Sequence, residues 1–275
     1  MTDTTKKFAV VGHPIAHSLS PEIHQLFAEQ FGIQMTYEKI DIDPKFFFVS
    51  LQKLSEAGYQ GFNVTLPFKY NAFELCDVLS DRAKYTKSVN TLTVNNGQFL
   101  GETTDGLGLI QDLKNKQFDI KNSIILLVGA GGASNAVLYD LILNQPDTIF
   151  LTNRTIDKSQ KMKSDWNSFA DLNGVKLIVT PLQDLSKVNF NLIINATSAG
   201  LNDNKSPISS LILNKFHVCY DMTYGQKTSF MQEALQKNAV VYDGSGMLVE
   251  QAAASFSIWH GHSPDVALIY NTLFI

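Results

Sequence analysis

Short apolar runs that stop at glycine, proline or asparagine alternate along this chain with stretches whose apolar residues recur every three or four positions. Phe8-Ala-Val-Val11 ends at Gly12 and Pro14 and reads as a buried strand. Ser20-Pro21 then supplies N-cap and first-turn chemistry for a helix with Ile23, Leu26, Phe27 and Phe31 on one face. Met35 to Ile40 alternates as a strand does, Asp43-Pro44 opens a helix with Phe47, Leu51 and Leu54 inward, and Gly61 to Thr65 returns as strand. A helical stretch follows from Tyr70. Val89 to Val94 and Gln98 to Leu100 flank Asn95-Asn-Gly97, a strong hairpin signal.

From Asp105 a helix with Leu109 and Leu113 inward leads to Ile124-Ile-Leu-Leu-Val-Gly-Ala-Gly-Gly-Ala-Ser134. This apolar run opening into a glycine turn is how a dinucleotide-binding strand, turn and helix begin. Strands recur near 148–152, 176–179, 192–195, 218–221 and 240–242, with helices between, and a helical period covers Met247 to His260 and Pro264 to Leu273. The alternation predicts an α/β fold with a mostly parallel sheet. A length of 275 residues points to two domains.

Composition narrows the partners. With 44% hydrophobic residues, 17% charged and a net charge of −4, the chain lacks a basic field for nucleic acid or an anionic membrane. Cys76 and Cys219 stand far apart, outside any CxxC or Cys/His cluster, and read as buried thiols. His13, His17 and His24 show no metal-ligand spacing, so no metal is expected. The N-terminal apolar run is too short for a signal peptide, and no stretch reaches the roughly 20 apolar residues of a membrane span. A cytoplasmic protein is expected.

The glycine turn Gly129-Ala130-Gly131-Gly132-Ala133-Ser134 lets backbone approach a pyrophosphate at a helix N-terminus, although a turn of this kind also serves as an ordinary strand-to-helix connection. About 20 residues on, where an acidic residue holds the ribose 2′-hydroxyl of NAD, stands Asn153-Arg154-Thr155. Arg154 can fork two N–H bonds onto a 2′-phosphate, and Lys158 adds a charge one turn later, which favours NADP. Lys69 closes Asn63-Val-Thr-Leu-Pro-Phe-Lys69 in a loop, where a lysine is commonly just solvated; Asp105 closes Gly101-Glu-Thr-Thr-Asp and reads equally as an N-cap. Beside a hydride carrier, the two make a proton-transfer pair for carbonyl reduction.

These segments, with Gly12-His-Pro-Ile-Ala-His-Ser-Leu-Ser-Pro21, Ser88-Val-Asn-Thr91, Asn195-Ala-Thr-Ser198, Tyr220-Asp-Met-Thr-Tyr224 and Asp243-Gly-Ser-Gly-Met-Leu-Val-Glu-Gln251, resemble the shikimate dehydrogenase family in order along almost the whole chain. The resemblance implies NADPH-dependent, reversible reduction of 3-dehydroshikimate to shikimate in chorismate and aromatic amino-acid biosynthesis. It implies a substrate domain of residues 1–104 with 240–275, a Rossmann-like NADP domain of 105–239, and an active site in the cleft between. By the same resemblance Lys69 and Asp105 are catalytic, and Ser18, Ser20, Thr65, Asn90, Tyr224 and Gln251 join them in binding the substrate. Met222 and Gly244 match positions near the nicotinamide. In isolation Ser20, Thr65, Asn90, Tyr224 and Gln251 could each be turn or cap residues, and Met222 core. Three positions depart from the family pattern: Asn135 and Lys158 where arginine is usual, and Thr103 where asparagine is. A small-molecule substrate and a monomer or homodimer are expected. The competing readings are a quinate/shikimate paralogue able to use NAD and a non-catalytic ligand sensor on the same fold.

Overall fold

A computed structural model describes residues 5–197, 199 and 205–274. The chain forms two compact units, one of residues up to Gly108 with those from Val249 on, the other running from Leu109 to Leu248.

The first unit is built from β1 (Lys6–Gly12), α1 (Ser20–Phe31), β2 (Met35–Asp41), α2 (Phe47–Glu56), β3 (Tyr59–Val64), α3 (Lys69–Leu75), β4 (Val78–Leu79), α4 (Asp81–Thr86), β5 (Thr91–Asn95), β6 (Gln98–Glu102) and the start of α5 (Asp105–Asn115). Its six-stranded sheet has the order β2-β1-β3-β5-β6-β4. β1 pairs parallel with β2 and β3, whereas β5 runs antiparallel to both β3 and β6. The β5–β6 hairpin turns at Asn96 and Gly97, with φ of 50° and 80°, the left-handed geometry that an Asn-Gly pair tolerates. Phe47, Phe62, Phe68, Val64 and Leu92 fill the core on one side of the sheet.

The second unit continues with β7 (Ile124–Val128), α6 (Gly132–Leu143), β8 (Thr148–Thr152), α7 (Ile156–Leu172), β9 (Lys176–Val179), β10 (Leu192–Asn195), β11 (Val218–Asp221), α8 (Ser229–Gln236), β12 (Val240–Tyr242) and the start of α9 (Ser245–His260). Its six strands are all parallel, in the order β12-β11-β10-β7-β8-β9. Such sheets are covered by helices on both faces, and the strands here are correspondingly apolar: Ile125, Leu126, Leu127, Ile193 and Ile194 are fully buried. Because β12 pairs with β11, residues 240–248 belong to this unit and not to the one the sequence assigned them to.

The rest of α9 and α10 (Val266–Phe274) pack on the first unit. Trp259 stacks on Phe8 at 4.8 Å, and its indole donates to the Leu92 carbonyl at 3.1 Å. Gln30 on α1 exchanges two hydrogen bonds with the Asp265 backbone.

Candidate active site

β3 delivers the chain to Thr65, and the cis Leu66–Pro67 bond turns it into α3, whose first residue is Lys69. The expected loop lysine thus opens a helix, the end at which the backbone dipole disfavours a cation. Asp105, the first residue of α5, compensates: Lys69 Nζ lies 2.5 Å from Asp105 Oδ2. Asp105 is almost buried, and its other oxygen accepts from Asn90 Nδ2 at 2.9 Å. A buried carboxylate is tolerable when an ion pair and further donors satisfy it, as here. Asn90 is oriented by groups of fixed polarity, because the Thr104 N–H can only donate and reaches Asn90 Oδ1 at 2.8 Å. Gln251, on α9, joins through Oε1, which accepts from Asn90 Nδ2 at 3.2 Å. Lys69, Asp105, Asn90 and Gln251 form one hydrogen-bonded set. An ammonium has three N–H donors, so with one on Asp105 others remain for an oxygen that gains negative charge.

Ser18 and Ser20 form a second set at the start of α1. Ser18 Oγ donates to Ser20 Oγ at 3.1 Å and accepts from the Ser20 N–H at 3.2 Å. The N-cap is Leu19, with no side-chain cap, so Ser20 is not the capping serine its place before Pro21 suggests. Thr65 is half-buried; its methyl group fills the space beside Gly12, where an added Cβ would stand 2.6 Å from Thr65 Cγ2. The cluster also contains residues the sequence reading did not single out: Asn63, Thr91, Thr104 and Ser255. Only the four-residue spacing of Gln251 and Ser255, which puts both on one helix face, hints at this.

In the second unit, Gly129 has φ of 112°, and α6 begins at Gly132 with Gly131 as N-cap and no side-chain cap. Gly131, Gly132 and Ala133 are exposed, and nothing lies within 4 Å of a Cβ built on either glycine. Ser134, in place of the third glycine, is fully buried. An uncapped first turn with open space in front of it fits a dinucleotide pyrophosphate. Asn153 Nδ2 donates to the Thr155 carbonyl at 3.0 Å, leaving Arg154 exposed beside the turn. Among the described residues neither the Arg154 nor the Lys158 side chain has a hydrogen-bond or ion-pair partner, although both stand at the start of α7, where cations are poorly placed without an anion. Asn135 accepts from the Trp166 indole at 2.7 Å. Met222 and Tyr224 follow β11 and are half-buried; burial raises the Tyr224 phenol above its ordinary pKa. Gly244 donates to the Thr223 carbonyl at 2.9 Å, and a Cβ on it would overlap the Met222 carbonyl. Ser198 lies outside the described residues.

No helix among the described residues is long and apolar enough to cross a membrane, and no group of three His, Cys, Asp or Glu residues among them could hold a metal ion.

Three family models match the chain: the shikimate dehydrogenase substrate binding domain over residues 10–92, shikimate / quinate 5-dehydrogenase over 112–204, and the shikimate 5'-dehydrogenase C-terminal domain over 244–274. The NADP(+) shikimate dehydrogenase of Herminiimonas arsenicoxydans is 41% identical over 275 residues, covering 99% of this chain and 98% of the relative. That of Methylobacillus flagellatus is 40% identical, covering 97% and 98%. Among solved structures, shikimate dehydrogenase from Aquifex aeolicus superposes with a TM-score of 0.89 at 30% identity, covering all of both chains. Shikimate 5-dehydrogenase from Thermus thermophilus, in complex with NADP(H) and shikimate, gives 0.86 at 31% identity and covers 96% of each. With relatives this similar over nearly their full length, the chain belongs to the shikimate dehydrogenase family.

Proposed function

We propose that the protein catalyses the reversible NADPH-dependent reduction of 3-dehydroshikimate to shikimate, with the first unit holding the substrate and the second the cofactor. The observation that carries this reading is the part-buried Lys69–Asp105 pair, at 2.5 Å, whose Asp105 accepts from Asn90, which also donates to Gln251. NADPH supplies a hydride to the 3-oxo carbon when bound. Lys69 stabilises the negative charge that develops on the oxygen and donates the proton that completes the hydroxyl. Asp105 holds the ammonium in place and accepts from a ring hydroxyl. In the oxidative direction Lys69 takes the proton back.

Ser18 and Ser20 bind the substrate carboxylate through hydroxyl donors, and Thr65, Asn90, Gln251 and Tyr224 offer mixed donors and acceptors to the ring hydroxyls. Residues 129–134 hold the pyrophosphate, Asn153, Arg154, Thr155 and Lys158 the phosphorylated ribose, and Met222 and Gly244 border the nicotinamide. The enzyme acts in the cytoplasm as a monomer or homodimer. Initial rates with shikimate or quinate against NADP⁺ or NAD⁺ test the reading. Shikimate with NADP⁺ should give the highest kcat/KM; no turnover with that pair, or a preference for quinate, overturns it.

A further inference from the structure

The polar side chains buried around Asp105 outnumber those the proposed chemistry uses. Asn63, Thr91, Thr104 and Ser255 are at most 5% exposed. Ser255 is the least expected, because it sits inside α9 between Ala254 and Phe256, fully buried. Its Oγ lies 3.0 Å from the Gln251 carbonyl, an acceptor in the preceding turn whose use would add nothing to helix stability. Burying a hydroxyl costs free energy that alanine would avoid, unless the hydroxyl is used.

Its use follows from groups of fixed polarity. The Asn90 carbonyl can only accept, and Asn63 Nδ2 faces it at 3.1 Å. Asn63 Oδ1 therefore faces Tyr37, whose hydroxyl donates to it at 2.7 Å. The remaining Asn63 proton has Ser255 Oγ at 3.0 Å as its nearest acceptor, with Thr91 Oγ1 farther away at 3.3 Å. Ser255 Oγ has its nearest acceptor in Thr91 Oγ1 at 2.7 Å and donates its one proton there, which leaves the Thr91 proton for Asn90 Oδ1 at 2.9 Å. The same Asn90 amide donates to Asp105 and to Gln251.

We infer that Ser255 is a positioning residue for the proposed reaction: its hydroxyl ties α9, and with it Gln251, to Thr91, and through Thr91 it fixes the Asn90 amide that holds Asp105 against Lys69. The inference rests on the proposed dehydrogenase reading. Turnover by the unmodified protein tests that reading, and only the variants test this one.

The experiment is a double-mutant cycle in the full chain, with Ser255→Ala, Thr91→Val and the pair, assayed with shikimate and NADP⁺. Each single variant should lower kcat/KM for shikimate by about two- to tenfold, the scale of one net hydrogen bond, and leave KM for NADP⁺ unchanged. Because both substitutions break one link, the double variant should be no worse than the poorer single. Losses that multiply in the double variant, or a folded Ser255→Ala protein with unaltered kcat/KM for shikimate, overturn the inference. If Ser255→Ala does not fold, Ser255→Cys, similar in size and a weak donor, takes its place with the same expectations.

Discussion

The Tyr220 hydroxyl donates a 2.7 Å hydrogen bond to Oδ2 of Asp112 in the interior of the second unit, and the same carboxylate fills the space that a methyl group at Gly246 would need. Burial raises the Asp112 pKa; the Tyr220 bond and the nearby Lys116 oppose that rise, and Asp243 adds to it. Tyr220→Phe removes a donor to a buried charge, a loss of about 1.5–3 kcal/mol. The carboxylate's pKa then rises further. An acid whose folded pKa lies above its unfolded value contributes stability below the unfolded value and loses it as pH rises through the folded one. The deficit of Tyr220→Phe relative to the unmodified protein should therefore be largest near neutral pH and shrink toward acid, as read from urea midpoints. Gly246→Ala should cost about 1–3 kcal/mol or more at any pH, since the carboxylate has to move.

Lys69→Ala should lower kcat by about 10²-fold or more while moving shikimate affinity little, because charge on the substrate oxygen develops only in the transition state. Asp105→Asn should be slow and also bind shikimate more weakly. Steady-state rates and calorimetric affinities on folded variants check this; near-normal kcat for Lys69→Ala would sink the mechanism.

Arg154→Ala should raise KM for NADP⁺ far more than KM for NAD⁺, by the roughly 1.5–3 kcal/mol of a charge-assisted bond. Arg154 is exposed and has no partner among the described residues, so the substitution disturbs little else. Equal changes for the two cofactors would remove Arg154 from the 2′-phosphate site.

His24 is fully buried, stacked on Tyr37 at 4.4 Å, with neither ring nitrogen hydrogen-bonded. Burial, with repulsion from His260, lowers its pKa from 6.5 to about 3. Above pH 6.5 the ring is neutral folded or unfolded. Below it the unfolded chain takes up a proton that the folded protein refuses until about pH 3, so stability falls by about 1.4 kcal/mol per pH unit across that window. His260, lowered to about 4, adds to the fall down to that pH. His24→Phe should make the decline between pH 6 and pH 4 shallower by about 1.4 kcal/mol per unit. An unchanged slope in denaturant titrations would show that His24 is not the group responsible.

Much of this was legible in the chain. The strands at 148–152, 176–179, 192–195, 218–221 and 240–242 stand where short apolar runs between turn signals put them; an inner parallel strand such as 192–195, buried at every position, reads as such a run. Between Tyr70 and Thr86 the apolar spacing signals only a helical stretch. Residues 69–86 fold as α3, β4 and α4, elements of two to seven residues that depend on partners elsewhere: Val78 pairs with Leu100, and Ser80 caps α4 by accepting from the Ala83 N–H. Pro67 signals a loop at Lys69, yet the turn is complete by Phe68 and Lys69 opens α3. Lys69, Asp105, Asn90 and Gln251 stand in motifs that mark them in the sequence, and they meet in one hydrogen-bonded set. Nothing local marks the bonds among Asn63, Thr91 and Ser255, since a bond such as Asn63–Ser255 joins positions 192 residues apart.

The interruption of the first unit by the second also sets an order of assembly during synthesis. The second unit is contiguous and can close its parallel sheet while the chain is still emerging, as domains tend to fold in turn from the N-terminus. The first unit cannot finish until Phe256 and Trp259 arrive to cover Phe27 and Phe8. Until then Asn63 and Thr91 face a gap where α9 will lie, and Asn90 lacks Gln251. A nascent chain that has reached only Leu248 can thus contain a finished second unit and both Lys69 and Asp105, yet lack the Gln251 contact to Asn90. The support that Gln251 gives Asn90, and through it Asp105, therefore comes only after the whole second unit has been made.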